Sequence, residues 1–320
     1  MTHPGVTAPT GSVRHAPDPR DGLVYVMSDE IGLAVRVAEA TGRPLLLRGE
    51  PGSGKSSLAA FIARQRQWRY YEHVVTSRTQ ARDLLWTFDS VRRLADAEVR
   101  EHGEALNDYD YVEPGVLWWA FARGSAHRRG APDGVSLARH AAEPNARVNE
   151  GRSADHSVVL IDEIDKADPD MPNGLLVPLG SNEFTVTETA TTIRPSPGGQ
   201  QIVVITTNEE RALPQAFLRR CVVLWLQLPK DAGAAADWLV TVAQAHHQGP
   251  YTTADEALAR AIAHELIALR ADAARQALRA PSTAEFLDAV RACSTLKISV
   301  GSDDWARLRD LILIKPQQPE

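Results

Sequence analysis

The chain has 320 residues, of which 43% are hydrophobic and 24% are charged, and its 35 basic and 41 acidic residues give a net charge of −6. This size and composition are typical of a globular protein with one large domain or two, able to bury a substantial core. Because the two signs of charge are interspersed and the balance is acidic, nucleic acid is disfavoured as a general partner, since it requires a concentrated positive surface.

The N-terminal segment and the cysteines exclude further classes of protein. Residues 1–20 are rich in proline and contain no apolar core segment, so they predict a disordered tail that is neither a signal peptide nor a membrane anchor. No apolar run approaches the length that crosses a bilayer. Cys221 and Cys293 have no partner at metal-ligand spacing and predict buried, reduced thiols. We therefore expect a cytoplasmic protein with no membrane partner.

The first half of the chain alternates between helical and strand patterns. Helical spacing predicts a helix from Asp29 to Gly42 and another over 56–65, and apolar runs predict strands over 44–48 and 70–76. Residues 83–101 have helical spacing and predict one long helix. Residues 123–156, called the polar segment below, contain few large apolar side chains and predict a partly disordered surface insertion with solvated arginines at 128, 129 and 147.

The second half of the chain completes the predicted fold. Apolar runs predict strands over 157–161, 201–205 and 222–226, which makes five strands alternating with helices. That alternation is typical of a parallel sheet covered on both faces. After Pro229 the patterns are helical only, over 237–248, 254–278, 283–296 and 303–314. We predict an α/β domain over 21–230, a smaller all-helical domain over 231–315 and a tail over 316–320.

A glycine-rich loop follows the first strand. The sequence GEPGSGKS over residues 49–56 matches the phosphate-loop pattern G-x-x-x-x-G-K-[ST]. Its glycines let successive backbone N–H groups face an anion, and the next helix adds its N-terminal partial charge. Lys55 would neutralise the β- and γ-phosphates of ATP, and Ser56 would ligate Mg²⁺. The predicted nucleotide-binding residues are Glu50, Pro51, Gly52, Ser53, Gly54, Lys55, Ser56 and Ser57.

Polar side chains also follow two later strands. The run VVLIDE over 158–163 carries Asp162 and Glu163 to the carboxyl end of a strand, where parallel sheets bind their ligands. We expect Asp162 to hold Mg²⁺ and Glu163 to activate the attacking water. Asn208 ends the strand over 201–205, where it can position that water or can simply begin a turn. Alongside the loop and the acids, we favour the catalytic role.

Arg219 and Arg220 stand just before the last predicted strand. Such a pair is either a solvated surface pair or includes an arginine finger that stabilises charge on a neighbouring subunit's nucleotide. The residues alone leave both interpretations open.

Five stretches of the chain resemble the MoxR-like branch of the AAA+ ATPases. They are GEPGSGKSS over 49–57, EPGVLWWAF over 113–121, VVLIDEIDKADPDMPNGLLVPLGSNEFTV over 158–186, ITTNEERALPQAFLRRCVV over 205–223 and PSTAEFLDAV over 281–290. The resemblance covers residues 22–313. It implies a P-loop AAA+ domain with a helical lid, Walker A at 49–56, Walker B at 158–163 and the first sensor at Asn208. It also implies a finger at Arg220 in preference to Arg219, ring oligomers, commonly hexamers, and a client protein or a von Willebrand A-domain partner.

One departure from the family pattern concerns the lid. The family usually carries a second sensor arginine after a Pro-Ser pair, but Thr283, Ala284 and Glu285 follow Pro281 and Ser282 here. Arg279 and Arg291 are the candidates to replace it, and the sequence does not choose between them.

We therefore predict an ATPase that hydrolyses Mg·ATP to ADP and phosphate at subunit interfaces and remodels a partner protein. The alternative is an ATP-binding regulatory switch with little turnover. A small-molecule kinase would not need the acid pair, Asn208 and the paired arginines together. A GTPase is disfavoured because the sequence contains no Asn-Lys-x-Asp tetrapeptide.

Overall fold

A computed structural model describes residues 21–99, 106–276 and 278–314. The two predicted tails, 1–20 and 316–320, lie outside the described residues. Within the described part, the strands are β1 Leu45–Arg48, β2 Arg69–Val74, β3 Trp86–Phe88, β4 Val112–Pro114, β5 His156–Asp162, β6 Phe184–Val186, β7 Thr191–Ile193, β8 Gln200–Thr207 and β9 Val222–Trp225.

Helices fill most of the remaining described chain. They are α1 Asp29–Thr41, α2 Lys55–Arg66, α3 Ser90–Val99, α4 Val116–Phe121, α5 Arg123–His127, α6 Ala146–Asn149, α7 Met171–Gly174, α8 Leu176–Ser181, α9 Gln215–Leu218, α10 Ala232–His246, α11 Thr253–Gln276, α12 Thr283–Leu296 and α13 Asp303–Arg309. Short 3-10 segments cover Ala81–Leu84, Asp108–Tyr111 and Ile164–Lys166, and a π-helical segment covers Asp310–Ile314.

The central sheet has five parallel strands in the spatial order β2-β5-β8-β1-β9, as the sequence predicts. Its middle strands are continuous apolar runs because both of their faces are covered: Leu45–Leu47 and Val158–Ile161 are fully buried. Successive side chains enter opposite layers, so that Leu46 packs in one core cluster and Leu45 in the other. The carboxyl ends of β1, β5 and β8 therefore meet at one edge of the sheet, which is where ligands of such folds bind.

Beyond β9 the described elements are all helical. Helices α10 to α13 surround an apolar cluster of their own, which includes Leu239, Ile262, Leu266, Phe286 and Trp305. The predicted α/β fold with a helical lid is confirmed, whereas the division into two domains near residue 230 stays a prediction. None of the described helices has the length and apolar character that a membrane crossing requires. The cytoplasmic location likewise stays a prediction.

The long helix predicted over 83–101 is wrong in its first part. Ala81–Leu84 is a 3-10 turn, and Trp86–Phe88 is a strand that pairs antiparallel with Val112–Pro114. Only Ser90–Val99 is α-helical, and residues 100–105 lie outside the described part. The helical spacing misleads because Leu84 and Leu85 are buried in the core of the α/β body, whereas Val91 and Leu94 are exposed.

The polar segment (123–156) is ordered and packs on β2, which corrects the prediction of a partly disordered insertion. Asn149 is fully buried, and its side chain accepts a hydrogen bond from Tyr70 N and donates one to Tyr70 O. It thereby pairs with the backbone of an edge strand. Arg129, predicted to be solvated, is 2% exposed and forms an ion pair with Glu113. Polar contacts rather than large apolar side chains fix this segment, so its composition resembles that of a disordered one.

Candidate functional site

The glycine-rich loop runs from β1 to the start of α2. Gly52 and Gly54 have φ angles of +78° and +88°, which L-residues with a side chain rarely adopt. Space also requires glycine at Gly52, since a Cβ atom there would lie 2.4 Å from Ser282 Oγ in the lid. Ser53 Oγ is buried in this loop without a hydrogen-bond partner among the described residues. Pro51 is exposed, and Ser57 is half-buried in the first turn of α2.

Lys55 is the first residue of α2 and is 6% exposed. Its Nζ donates hydrogen bonds to the carbonyl oxygens of Gly49 and Glu50, both at 2.8 Å. Burial lowers the pKa of the Lys55 ammonium, and the charges of Asp162, Asp165 and Glu163 oppose that shift. A cation is thus held inside the loop, facing the acids at the end of β5.

Ser56 and Asp162 join the loop to the acidic strand. Ser56 Oγ donates to Asp162 Oδ1 at 2.7 Å, and Thr206 Oγ1 donates to the same oxygen at 2.6 Å. Asp162 is only 2% exposed. The hydroxyl and the carboxylate predicted to bind Mg²⁺ therefore lie side by side at one edge of the sheet. Thr206 was not singled out from the sequence, although it lies near the end of β8, two residues before Asn208.

Glu163 follows Asp162 with a left-handed φ of +61°, a conformation that costs energy for a residue with a side chain. Its backbone N–H donates to Thr206 Oγ1 at 2.9 Å. Its carboxylate meets two donors, Asn208 Nδ2 at 3.4 Å from Oε1 and Lys166 Nζ at 2.7 Å from Oε2. The predicted water-activating acid and the predicted sensor are thus adjacent. The lysine, three residues after Glu163, was missed in the sequence.

Arg220 does not join this cluster within one chain. It precedes β9, is exposed, and lines a cavity of about 250 Å³ together with Gly42 and Pro44, which precede β1. Arg219 beside it is exposed as well. Both arginines therefore lie at the amino end of the sheet, whereas Lys55 follows the carboxyl end of β1.

The lid touches the loop through the residues after the Pro-Ser pair and through Arg270, which the sequence analysis did not single out. Ala284 N donates to Gly52 O at 3.1 Å. Arg270 Nη1 donates to Glu50 Oε2 at 2.8 Å and to the carbonyl of Pro281 at 2.6 Å. Of the two candidates for the second sensor, Arg279 pairs with Glu285 at 2.9 Å, and Arg291 is exposed on α12.

Comparison with known families identifies the family of this domain. Residues 44–221 match the family model of the AAA domain (dynein-related subfamily). The match spans more than half of the chain and contains the loop, both acids and Asn208. The chain therefore belongs to this AAA family, whose members are P-loop ATPase domains that bind ATP. The MoxR-like AAA+ resemblance is confirmed at the level of the family.

Other comparisons give remote likenesses. No curated protein matches the chain. A candidate ATPase from Cytophaga hutchinsonii is 14% identical over 92% of this chain and 83% of its own, with a TM-score of 0.39. The Holliday junction branch migration motor RuvB of Thermotoga maritima is 15% identical over 88% of this chain and 66% of its own, with a TM-score of 0.41. Neither likeness carries information on activity.

Proposed function

We propose that this chain hydrolyses Mg·ATP to ADP and phosphate in a site that a neighbouring copy completes. The observation that carries the proposal is the 2.7 Å hydrogen bond from Ser56 Oγ to Asp162 Oδ1. It brings the phosphate loop and the acidic strand within reach of one ion, with Lys55 inside the same loop. Had the acids lain at another edge of the sheet, one ion could not have joined them.

The residues around the loop have separate roles in the proposed reaction. Lys55 moves its ammonium from the carbonyls of Gly49 and Glu50 to oxygens of the β- and γ-phosphates. Glu163 accepts a proton from water as the water oxygen bonds to the γ-phosphorus and the bond from that phosphorus to the bridging oxygen of ADP breaks. Asn208, beside Glu163, orients the water. ADP leaves with the electron pair of the broken bond.

Magnesium fits the residues that the loop and the strand offer. The Ser56 hydroxyl and the Asp162 carboxylate are hard oxygen donors, and Mg²⁺ needs few protein ligands because it keeps water and binds substrate phosphates. When bound, the ion neutralises charge that develops on the phosphate oxygens. The Ser53 hydroxyl, buried with no hydrogen-bond partner among the described residues, supports phosphate binding by the same loop, since a phosphate oxygen can accept its hydrogen bond.

Two substitutions test this mechanism. Lys55→Ala should abolish ATP binding, because it removes the cation from the anion site. Glu163→Gln should keep binding and lower turnover by about 10²-fold or more, because the amide cannot accept the proton. Binding of a fluorescent ATP analogue and release of phosphate measure the two effects. Wild-type turnover in Glu163→Gln would refute the role of Glu163.

Arg220 is proposed to act on the nucleotide of the next copy in a ring. AAA proteins typically assemble into oligomers, and the exposed position of Arg220 supports such a role. Arg220→Ala should lose turnover and keep ATP binding, whereas Arg219→Ala, the matched control, should retain turnover. Mixing Arg220→Ala with Glu163→Gln should recover activity, because some interfaces then hold both an intact acid and an intact arginine. Absence of recovery, with turnover per copy constant on dilution, would contradict the shared site.

The turnover is proposed to drive remodelling of a partner protein, as the MoxR-like resemblance implies, and the partner would be a client or a von Willebrand A-domain protein. Capture of proteins on the Glu163→Gln form in the presence of ATP, compared with Lys55→Ala, tests this role.

The alternative, a switch with little turnover, is supported by the ion pair between Lys166 and Glu163, which occupies one oxygen of the proposed base. Phosphate release by the wild-type chain in a single turnover distinguishes the two.

A further inference from the structure

Asp165, which the sequence analysis did not single out, is a buried carboxylate at the edge of the proposed site. It is 3% exposed and lies in the 3-10 segment that follows Glu163. Its Oδ2 accepts hydrogen bonds from Asn208 N at 3.2 Å and from Glu210 N at 2.9 Å. Within the described residues it has no ion-pair partner closer than 4.0 Å. Burial of a carboxylate is costly unless its hydrogen bonds compensate, and here they come from the backbone after β8.

The backbone that Asp165 holds is the one that carries Asn208. Strand β8 ends at Thr207, so Asn208 is the first residue beyond the sheet. Glu209, the next residue, has a left-handed φ of +62°. On its other side this turn is held by Arg48, whose Nε donates to Glu209 Oε1 at 2.6 Å. The turn is therefore fixed from both sides, and the N–H groups on either side of Glu209 point at one carboxylate.

The position of the Asn208 amide depends on this turn. Its Nδ2 lies 3.4 Å from Glu163 Oε1, which is a long contact that a small rotation of the backbone would break. Asp165 and Glu163 are two residues apart in the same segment, so Asp165 ties the turn to the very element that carries the proposed base. A displacement of about 1 Å in such a group can cost about 10²-fold in rate.

We propose that Asp165 is a positioning residue for ATP hydrolysis, which fixes the backbone at Asn208 and Glu210 so that the Asn208 amide faces Glu163 and the attacking water. This inference rests on the proposed function. It differs from a purely structural role because its effect should appear in the rate of the chemical step and should pass through Asn208.

Asp165→Asn tests the inference, because it replaces a charged acceptor with a neutral amide whose hydrogen bonds are weaker. With the amide oxygen in the place of Oδ2, its NH₂ group would take the place of Oδ1, which lies 3.4 Å from Asn208 N, and would face that N–H donor. We expect kcat to fall by about 10- to 100-fold. ATP affinity should stay the same or rise, since a negative charge near Lys55 is removed. In a double-mutant cycle, Asp165→Asn should cause little further loss in an Asn208→Ala background. Asp165→Glu, which keeps the charge and displaces it by one methylene, should lower kcat with affinity retained and serves if Asp165→Asn does not fold.

The chain offers a matched control in Glu143, a second buried carboxylate, remote from the site in the polar segment. Glu143→Gln should leave turnover per folded protein unchanged, with the folded fraction measured by circular dichroism. Wild-type kcat in Asp165→Asn, additive losses with Asn208→Ala, or an equal loss of kcat in Glu143→Gln would each overturn the inference. A wild-type chain that binds ATP without releasing phosphate would instead overturn the proposed function, and this inference with it.

Discussion

Two buried carboxylates show how differently this molecule uses charge. Glu143 in the polar segment accepts hydrogen bonds from Arg69 Nη1 at 2.7 Å, from Arg123 Nε at 2.9 Å and from the hydroxyl of Tyr71 at 2.9 Å. Asp165 at the nucleotide edge instead accepts hydrogen bonds from backbone N–H groups. The first carboxylate is paired directly with cations of the same chain, whereas the second is hydrogen-bonded by backbone N–H groups and has no ion-pair partner within 4.0 Å among the described residues.

The same contrast extends to their neighbours. At the nucleotide edge Lys55 donates to backbone carbonyl oxygens, and Asp162 accepts hydrogen bonds from the hydroxyls of Ser56 and Thr206. Hydroxyls and a lysine on carbonyls can exchange their partners for an ion and a phosphate at small cost. The arginines on Glu143 cannot do so, because Arg69, whose side chain is only 11% exposed, would be left with an uncompensated charge. In this molecule the carboxylate that is paired with arginines, Glu143, belongs to a structural cluster. The carboxylate that is held by backbone N–H groups, Asp165, lies at the proposed site.

Glu143, Arg69, Arg123 and Tyr71 form the balanced cluster, and neutralising Glu143 should cause the largest loss of stability. Glu143→Gln leaves Arg69 and Arg123 facing a neutral amide, and we expect the free energy of unfolding to fall by about 3 kcal/mol. Urea unfolding followed by circular dichroism measures the change. If Glu143 were a surface charge, the loss would be within about 0.5 kcal/mol, and the contrast between the two regions would fail.

The balanced cluster should also respond to acid. Burial alone would raise the pKa of Glu143, but hydrogen bonds from Arg123 and Tyr71 and the charge of Arg69 outweigh burial and hold that pKa below its ordinary value of 4.5. A carboxylate with a lowered pKa in the folded state contributes stability above its unfolded pKa and loses it as the pH falls through the folded value. Between pH 5 and about 3, wild type should therefore lose more unfolding free energy than Glu143→Gln. Parallel pH profiles would contradict this.

The parts of the fold that the sequence predicts are those with local signals. The strand at 158–161 is an apolar run, and the loop at 49–56 has its glycines and lysine at fixed spacing, so both can be located without tertiary knowledge. The order of the polar segment could not be predicted, because it depends on pairs such as Arg69 with Glu143, which are 74 residues apart. Composition does not record such pairs.

The site was predictable to the same extent. Ser56 contacts Asp162, and Asn208 contacts Glu163, because the carboxyl ends of the strands that these residues follow lie at one edge of a parallel sheet. The roles assigned to these residues stay predictions. Their supporting residues carry weaker signals. Asp165 is one of several acidic residues in a short stretch, any of which could lie in a solvent-exposed turn. Arg270 lies within a helical pattern and belongs to no recognisable motif.

Glu163 sharpens the comparison, since this carboxylate at the nucleotide edge does have an ion pair, to Lys166 at 2.7 Å. Both side chains are partly exposed, so the pair is worth about 1 kcal/mol or less. Lys166→Met should free Glu163 Oε2 and raise turnover by about two- to fivefold. Phosphate release measures this, with Lys166→Arg as the control that keeps the ion pair. A fall in turnover would show that Lys166 assists the base instead of restraining it.

The smallest effect should come from the lid, where Arg270 meets a carboxylate of the loop itself. Glu50 is more than half exposed, so the pair alone is worth less than about 1 kcal/mol. Arg270 also donates to Pro281 O, two residues before the first helical residue of α12, and α12 in turn donates from Ala284 N to Gly52 O. Arg270→Met should therefore speed hydrogen exchange at Ala284 N–H and weaken ATP binding by about two- to threefold. Arg275→Met, on the same helix and paired within it, is the control. Equal hydrogen exchange at Ala284 N–H in Arg270→Met and Arg275→Met would show that α12 alone holds the lid on the loop. The Glu50 carboxylate would then be an ordinary solvated surface charge.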